Sequence, residues 1–524
     1  MKTIKITAIA LFLVLPIRIF ANGDKSDVIQ LDSGPISGKV EDGINAYLGI
    51  PYAAPPVGKL RWKPPHKVAS WTEVREVKDY SLSCPQPAQQ GITKTSEDCL
   101  YLNVWTPAKS PKEKLPVMVW IHGGAFNFGS GSLPDYNGKN LAKKGVVVVT
   151  INYRLGPFGF LVHPLLAKES PYSISGNYGL LDQIAALKWV QRNIALFGGD
   201  TDRVTIFGES AGAQSVTLLM ISPLALGLFH RVIAQSGGPI IGSKYMLPSV
   251  TGSKKKAIKM GEELAAKLGC DKAPDVLAAM RAKVAAEILQ AANFKIGIFN
   301  NGMIFTPVFD GWVLPESPRK AYSNGEQYDV PIIIGSNRDE GNLFIAPEGE
   351  ITVEKYKSYL QARFGKNAAK ALAMFSAEKQ EDVAPALDKI ITVATFAYPA
   401  RFVARSMRTK ESKAYLYQFT RQPSTQMAHK LGVYHSLDVG YVFGNLDKAQ
   451  GYDDVDLTLS GKMMNYWTNF AKTGNPNGKG LTYWPGYGYR SDLNLELSDT
   501  IRPNKHLLQK ECDFMVRLAS YFSE

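Results

Sequence analysis

Ser210 has the setting of a nucleophile. Val204-Thr-Ile-Phe207 runs straight into Gly208-Glu-Ser-Ala-Gly212, and then into the apolar stretch Ala213–Met220. The order is strand, G-x-S-x-G, helix, which lifts a serine hydroxyl out of a sharp turn. Gly208 and Gly212 leave room for the bend, and the helix that follows would aim its amides and positive dipole end at the reacting oxygen. A bare G-x-S-x-G also reads as an ordinary turn, and the flanking strand and helix separate the two readings. A second small-residue turn follows Pro116-Val-Met-Val-Trp-Ile121 at His122-Gly-Gly-Ala-Phe126. Its Gly124 and Ala125 amides, with that of Ala211, could hold the negative oxygen of a tetrahedral intermediate. Serine attack with backbone stabilisation of an oxyanion is the chemistry of acyl transfer.

Those turns need strands to carry them. Short apolar runs at Val117–Ile121, Val146–Ile151, Val204–Phe207, Arg231–Gln235, Pro331–Ile334 and Ala414–Phe419 read as buried strands. Between them lie helical patterns at Leu180–Ile194, Gly212–Met220, Lys254–Leu268, Val353–Phe364, Ala368–Phe375 and Leu459–Lys472. The alternation predicts a largely parallel sheet with helices on both faces. The region near 240–410 is richer in helix and would form a cap.

The composition is ordinary for a globular protein. Of 524 residues, 45% are apolar, 10% aromatic and 20% charged. The formal net charge is +13, from 60 Lys and Arg against 47 Asp and Glu. The cations are scattered, with one tight run at Lys254–Lys256 and no basic stripe between aromatics, so no nucleic-acid partner is expected. Four cysteines are too few to be the scaffold. No C-x-x-C, H-E-x-x-H or clustered His/Cys spacing appears, so neither metal nor cofactor is expected. Met1–Ala21 reads basic, apolar, small, the order of a cleavable export signal, which would make 22–524 a secreted or periplasmic domain. Its apolar run is short for a membrane span, and no later segment is long enough for stable insertion. The sequence sets no oligomeric state.

Several separate motifs together resemble one family, the type-B carboxylesterases and lipases, which includes the cholinesterases. Glu97-Asp-Cys-Leu-Tyr-Leu-Asn-Val-Trp105 resembles its second signature, and Phe207-Gly-Glu-Ser-Ala-Gly-Ala213 its serine signature. Tyr47–Tyr52, Asn152–Gly156, Gly176–Gln183, Phe197–Asp200, Ala234–Gly237 and Asn465–Pro476 follow in the family's order. The resemblance implies an α/β-hydrolase fold in one large domain and a secreted serine esterase.

It also implies the partners of Ser210. In this fold the acid and then the histidine follow the serine, which leaves His230, His429, His435 and His506. Gly432-Val-Tyr-His-Ser-Leu-Asp-Val-Gly-Tyr-Val-Phe-Gly444 resembles the catalytic-histidine segment, so His435 is favoured over His429, which reads as part of a solvated loop. Ser436 stands where the family commonly has Gly. Ser336-Asn-Arg-Asp-Glu-Gly341 resembles the acid motif, with Glu340 in the acid's place and Asp339 as the alternative. Glu209 either tunes His435 or only meets the helix dipole. Ser236 resembles a serine lying just behind the triad. Cys84 and Cys99 match the family's first disulfide, whereas Cys270 and Cys512 have no assigned partner. Arg61 with Glu97, and Arg154 with Asp182, match structural ion pairs.

Departures narrow the substrate. The segment between Cys84 and Cys99 has no aromatic residue, whereas cholinesterases place there a tryptophan that binds a quaternary ammonium. Choline esters are therefore not expected as main substrates. Phe126, Phe299 and Phe305 suggest an apolar acyl pocket, for neutral or anionic esters of small to medium acids. A lipase, a specialised hydrolase of polyesters, toxin esters or carbamates, and a non-catalytic binding protein are the alternatives.

Overall fold

The computed structural model describes residues 26–89, 91–239, 254–295, 297–299 and 302–520, with the side chains of 519 and 520 excepted. The expected export signal at 1–21 lies outside them. Eleven strands form the main sheet. In chain order they are β1 (Lys39–Glu41), β2 (Ile44–Pro51), β3 (Tyr101–Thr106), β4 (Leu115–Ile121), β5 (Val147–Ile151), β6 (Gly199–Glu209), β7 (Arg231–Gln235), β8 (Ile332–Asn337), β9 (Ala414–Phe419), β10 (Leu493–Leu497) and β11 (Arg502–Lys505). Across the sheet the order is β11-β10-β9-β8-β7-β6-β4-β5-β3-β2-β1. The seven strands from β10 to β5 in that order run parallel; β1, β2, β3 and β11 pair antiparallel at the two edges.

The apolar runs make this sheet because alternate side chains feed two cores. Val117, Val119 and Ile121 of β4 enter one core with α1 (Tyr178–Asn193) and α2 (Ala211–Leu219). Met118 and Trp120 enter the other, against α3 (Leu437–Phe443) and α4 (Asp454–Thr473). A third apolar cluster belongs to the cap and joins Tyr356, Leu360, Leu387, Ile391 and Phe396 with Phe514. Between 254 and 410, β8 is the one main-sheet strand among the described residues, as the helical reading of that region expects.

Register aligns the strand ends. Ile121 lies beside Gly208, Glu209 beside Gln235, and Gln235 beside Gly335. The carboxyl ends of β4, β6, β7 and β8 therefore open on one edge, where α/β sheets bind their ligands.

Candidate active site

Ser210 sits on the turn between β6 and α2, with φ +56° and ψ −120°. A serine held in such a conformation is strained and stays only where its surroundings enforce it. Here the Ser210 N–H donates to the Gln235 carbonyl at 2.9 Å. The flanking glycines are required by contact as well. A Cβ on Gly212 would lie 1.9 Å from the Ile121 oxygen, and one on Gly208 would lie 2.6 Å from the same atom. The turn thus presses on the end of β4. Ser210 is half-buried between buried neighbours and lines a cavity.

The second turn rises from β4 against the first. A Cβ on Gly123 would meet the Glu209 carboxylate at 2.6 Å and the Ser210 Cβ at 3.0 Å. Gly124 has φ +103° and Ala125 has φ +51°. Asn127 and Phe128 donate back to the Gly124 carbonyl at 2.9 and 3.0 Å, which closes the turn. Among the described residues no hydrogen bond within the chain uses the N–H of Gly124 or Ala125, and Ala211 is the first residue of α2, where an N–H has no intrahelical acceptor. His122, at the foot of this turn, is buried, stacks on Tyr153 with centroids 4.4 Å apart, and has Nδ1 2.8 Å from the Gly123 carbonyl. Burial pushes its pKa down to about 4, so it stays neutral.

His435 is brought in from the loop before α3. Its Nδ1 lies 2.6 Å from Glu340 Oε2, and both side chains are buried. The other oxygen of Glu340 accepts from the Asn337 N–H at 2.6 Å. Asp339 is engaged elsewhere, accepting from the Val433 N–H at 2.7 Å and pairing with Arg338. Of the two carboxylates in this turn, Glu340 is the one that reaches the imidazole. His429 is exposed, and it stands on the helix Gln426–Leu431 rather than in a loop.

Nε2 of His435 lies 3.1 Å from Glu209 Oε1. The Ser210 hydroxyl makes no hydrogen bond among the described residues, an approach that commonly tightens only with substrate. Burial works to lower the His435 pKa, but the Glu209 and Glu340 carboxylates outweigh it and raise it to about 9. Burial lifts Glu209 to about 8; His435 opposes this, and Asp438 and Glu340 add to it. Protonation of Glu209 would remove one of the charges that hold His435 up.

Sequence reasoning gave no role to Asp438 of α3. It is fully buried and accepts from Tyr417 at 2.8 Å and Gln235 at 3.0 Å, and burial raises it to about 6. Its position three residues after His435 was the available signal. Phe344 and Phe396 were also missed; they flank the His435 ring at 5.1 and 4.7 Å. Phe396 comes from a turn of π-helix at Thr392–Ala397, a feature frequent at functional sites and invisible in apolar periodicity. Ser236 is buried at the end of β7 with φ +50°, and its hydroxyl has no partner among the described residues.

Ser210, His435, Glu209, Gly124 and Ala125 line one cavity of about 430 Å³. Its aromatic walls are Phe128, Tyr136, Phe294 and Phe344. Phe126 and Phe305 are instead packed in the core, and Phe299 lies against Tyr359. The pocket expectation was right in being apolar and wrong in its residues.

The Cys84–Cys99 disulfide is present, and Cys270 and Cys512 are free and buried. The loop it closes grips the Gly124 turn. Gln86 accepts from the Gly129 N–H at 2.8 Å and donates to the Gly129 carbonyl at 2.9 Å.

A serine on a strained strand-to-helix turn, at the carboxyl edge of a mostly parallel sheet, defines the α/β-hydrolase class. Residues 25–515 match the Carboxylesterase family, and the chain belongs to it. It is 38% identical over 491 residues to the para-nitrobenzyl esterase of Bacillus subtilis strain 168, covering 90% of this chain and 95% of that one. It is 37% identical over 486 residues to the fumonisin B1 esterase of Sphingopyxis macrogoltabida, covering 90% and 86%. A solved PNB esterase structure superposes with TM-score 0.80 at 36% identity, covering 93% of this chain and 99% of that one. The protein is a carboxylic ester hydrolase.

Proposed function

We propose that the enzyme works through a Ser210–His435–Glu340 triad and an acyl-enzyme. The Ser210 oxygen attacks the ester carbonyl while His435 Nε2 takes its proton. The carbonyl oxygen, now negative, is held by the N–H groups of Gly124, Ala125 and Ala211. His435 then protonates the departing alcohol, and water repeats the cycle on the acyl-enzyme. Glu340 fixes the imidazole tautomer and stabilises the imidazolium. The observation that carries this reading is the 2.6 Å contact between buried Glu340 and His435, with His435 and Ser210 lining one cavity.

Export is part of the proposal, supported by the basic, apolar, small order of Met1–Ala21. The size of the cavity and its apolar walls favour neutral esters of small to medium acids over long acyl chains. The p-nitrobenzyl and toxin esters named by the two relatives are reasonable members of a substrate panel. Hydrolysis of p-nitrophenyl acetate, butyrate and palmitate by wild type and Ser210→Ala tests the reading. Short chains should be preferred, and kcat should fall at least about 10⁴-fold in the variant. A variant of near wild-type activity would refute the assignment, and a palmitate optimum would favour the lipase reading.

A further inference from the structure

Ser436 has a backbone conformation that its side chain does not favour. Its φ is +72° and its ψ is 0°, in the left-handed region that glycine adopts freely. The resemblance leads one to expect glycine at this position. A serine there carries a cost that local structure does not offset, because its hydroxyl makes no cap hydrogen bond and has no hydrogen-bond partner among the described residues. Ser436 is only half-buried, and it lines the same cavity as Ser210 and His435. An outlying backbone at a substrate cavity, carrying an unused donor, points to a ligand contact.

The triad reading sets which part of a substrate lies near that donor. The carbonyl oxygen belongs with Gly124 and Ala125, on the Ser210 side. The leaving oxygen belongs with His435, the residue next to Ser436 in the chain. On the same side Tyr136 packs against Phe443 of α3, with centroids 5.8 Å apart. Leu343, Phe344 and Pro347, which also line the cavity, offer no polar side chain, and Phe344 packs against the His435 ring.

We propose that the Ser436 hydroxyl is a specificity group that hydrogen-bonds an oxygen on the leaving alcohol, so that monoesters of 1,2-diols are preferred to esters of plain alkanols. The inference rests on the triad reading above, because that reading places the leaving group beside His435. The test compares 2-hydroxyethyl butyrate with propyl butyrate, a pair matched in size, by kcat/KM in wild type, Ser436→Ala and Ser436→Gly. Wild type should favour the hydroxyethyl ester by about 5-fold, the scale of one neutral hydrogen bond. Both variants should bring the ratio close to one. Ser436→Gly suits the backbone, so a failure of Ser436→Ala to fold would not remove the test. A wild-type ratio near one overturns the proposal. So does a ratio that survives both substitutions, even if both rates fall together, since that would mark a purely structural residue. Ser210→Ala is the control: hydrolysis that persists in it overturns the nucleophile assignment and this inference with it.

Discussion

His435 is flanked by two carboxylates, and they do different things. Glu340 sits on Nδ1 at 2.6 Å, while Glu209 sits near Nε2 at 3.1 Å, on the side where the proton must move. Both charges favour imidazolium, so His435 is raised to about 9 although burial alone would lower it. A base is useful only when neutral, so activity should fall as pH drops through the titration of this coupled pair. Glu209→Gln removes one of the charges that raise His435 and should lower its pKa. The acid limb of the kcat/KM profile should then move to lower pH by about one unit. A limb that stays in place or moves up would show that Glu209 does not act on His435. Much of this is legible in the sequence. The motifs pointed to Ser210, Glu340 and His435, but not to what surrounds the imidazole. Phe344 and Phe396 reach His435 only through tertiary packing, and no local spacing marks them, whereas Asp438 is marked only by standing three residues after His435.

The elements around the site are set by close backbone approach. The β6–α2 turn and the end of β4 leave no space for a side chain at Gly212, where a Cβ would lie 1.9 Å from the Ile121 oxygen. Gly212→Ala should therefore cost at least about 2 kcal/mol, read as a lower denaturant midpoint. An alanine variant with the wild-type midpoint would show that the strand end can yield. Strands with continuous apolar runs were readable, and Arg231–Gln235 and Ala414–Phe419 were placed to the residue. Other strands were not, for identifiable reasons. β11 is Arg-Pro-Asn-Lys, exposed throughout, and pairs only along the sheet edge. β3 contains Asn103, whose polarity masks a buried strand; its amide bonds the Thr150 hydroxyl at 2.9 Å. β6 extends back to Gly199, beyond the apolar run that marked it, through polar residues that still pair.

At the scale of the whole molecule, buried ion pairs tie distant segments together. Arg154 donates through its backbone N–H, Nε and a terminal nitrogen to Asp182, while its other terminal nitrogen reaches the Lys63 carbonyl. Both partners of the pair are essentially inaccessible to solvent. Arg154→Ala strands a carboxylate in the core and should destabilise the fold by about 3–5 kcal/mol. Equilibrium unfolding measures this, and a loss below about 1 kcal/mol would place the pair among surface-type contacts. The resemblance pointed to this pair and to Arg61–Glu97. It was silent on Arg401–Asp492, a buried pair of 2.6 Å between residues 91 apart in sequence. Nothing local in either segment signals the other. The proposed mechanism requires that a single serine, Ser210, act as the nucleophile. Intact-protein mass spectrometry after reaction with a fluorophosphonate tests that most directly. One adduct per chain, mapped to Ser210 and absent from Ser210→Ala, is the expected result. An adduct mapped to another residue, or a fully active enzyme that takes up none, would contradict it.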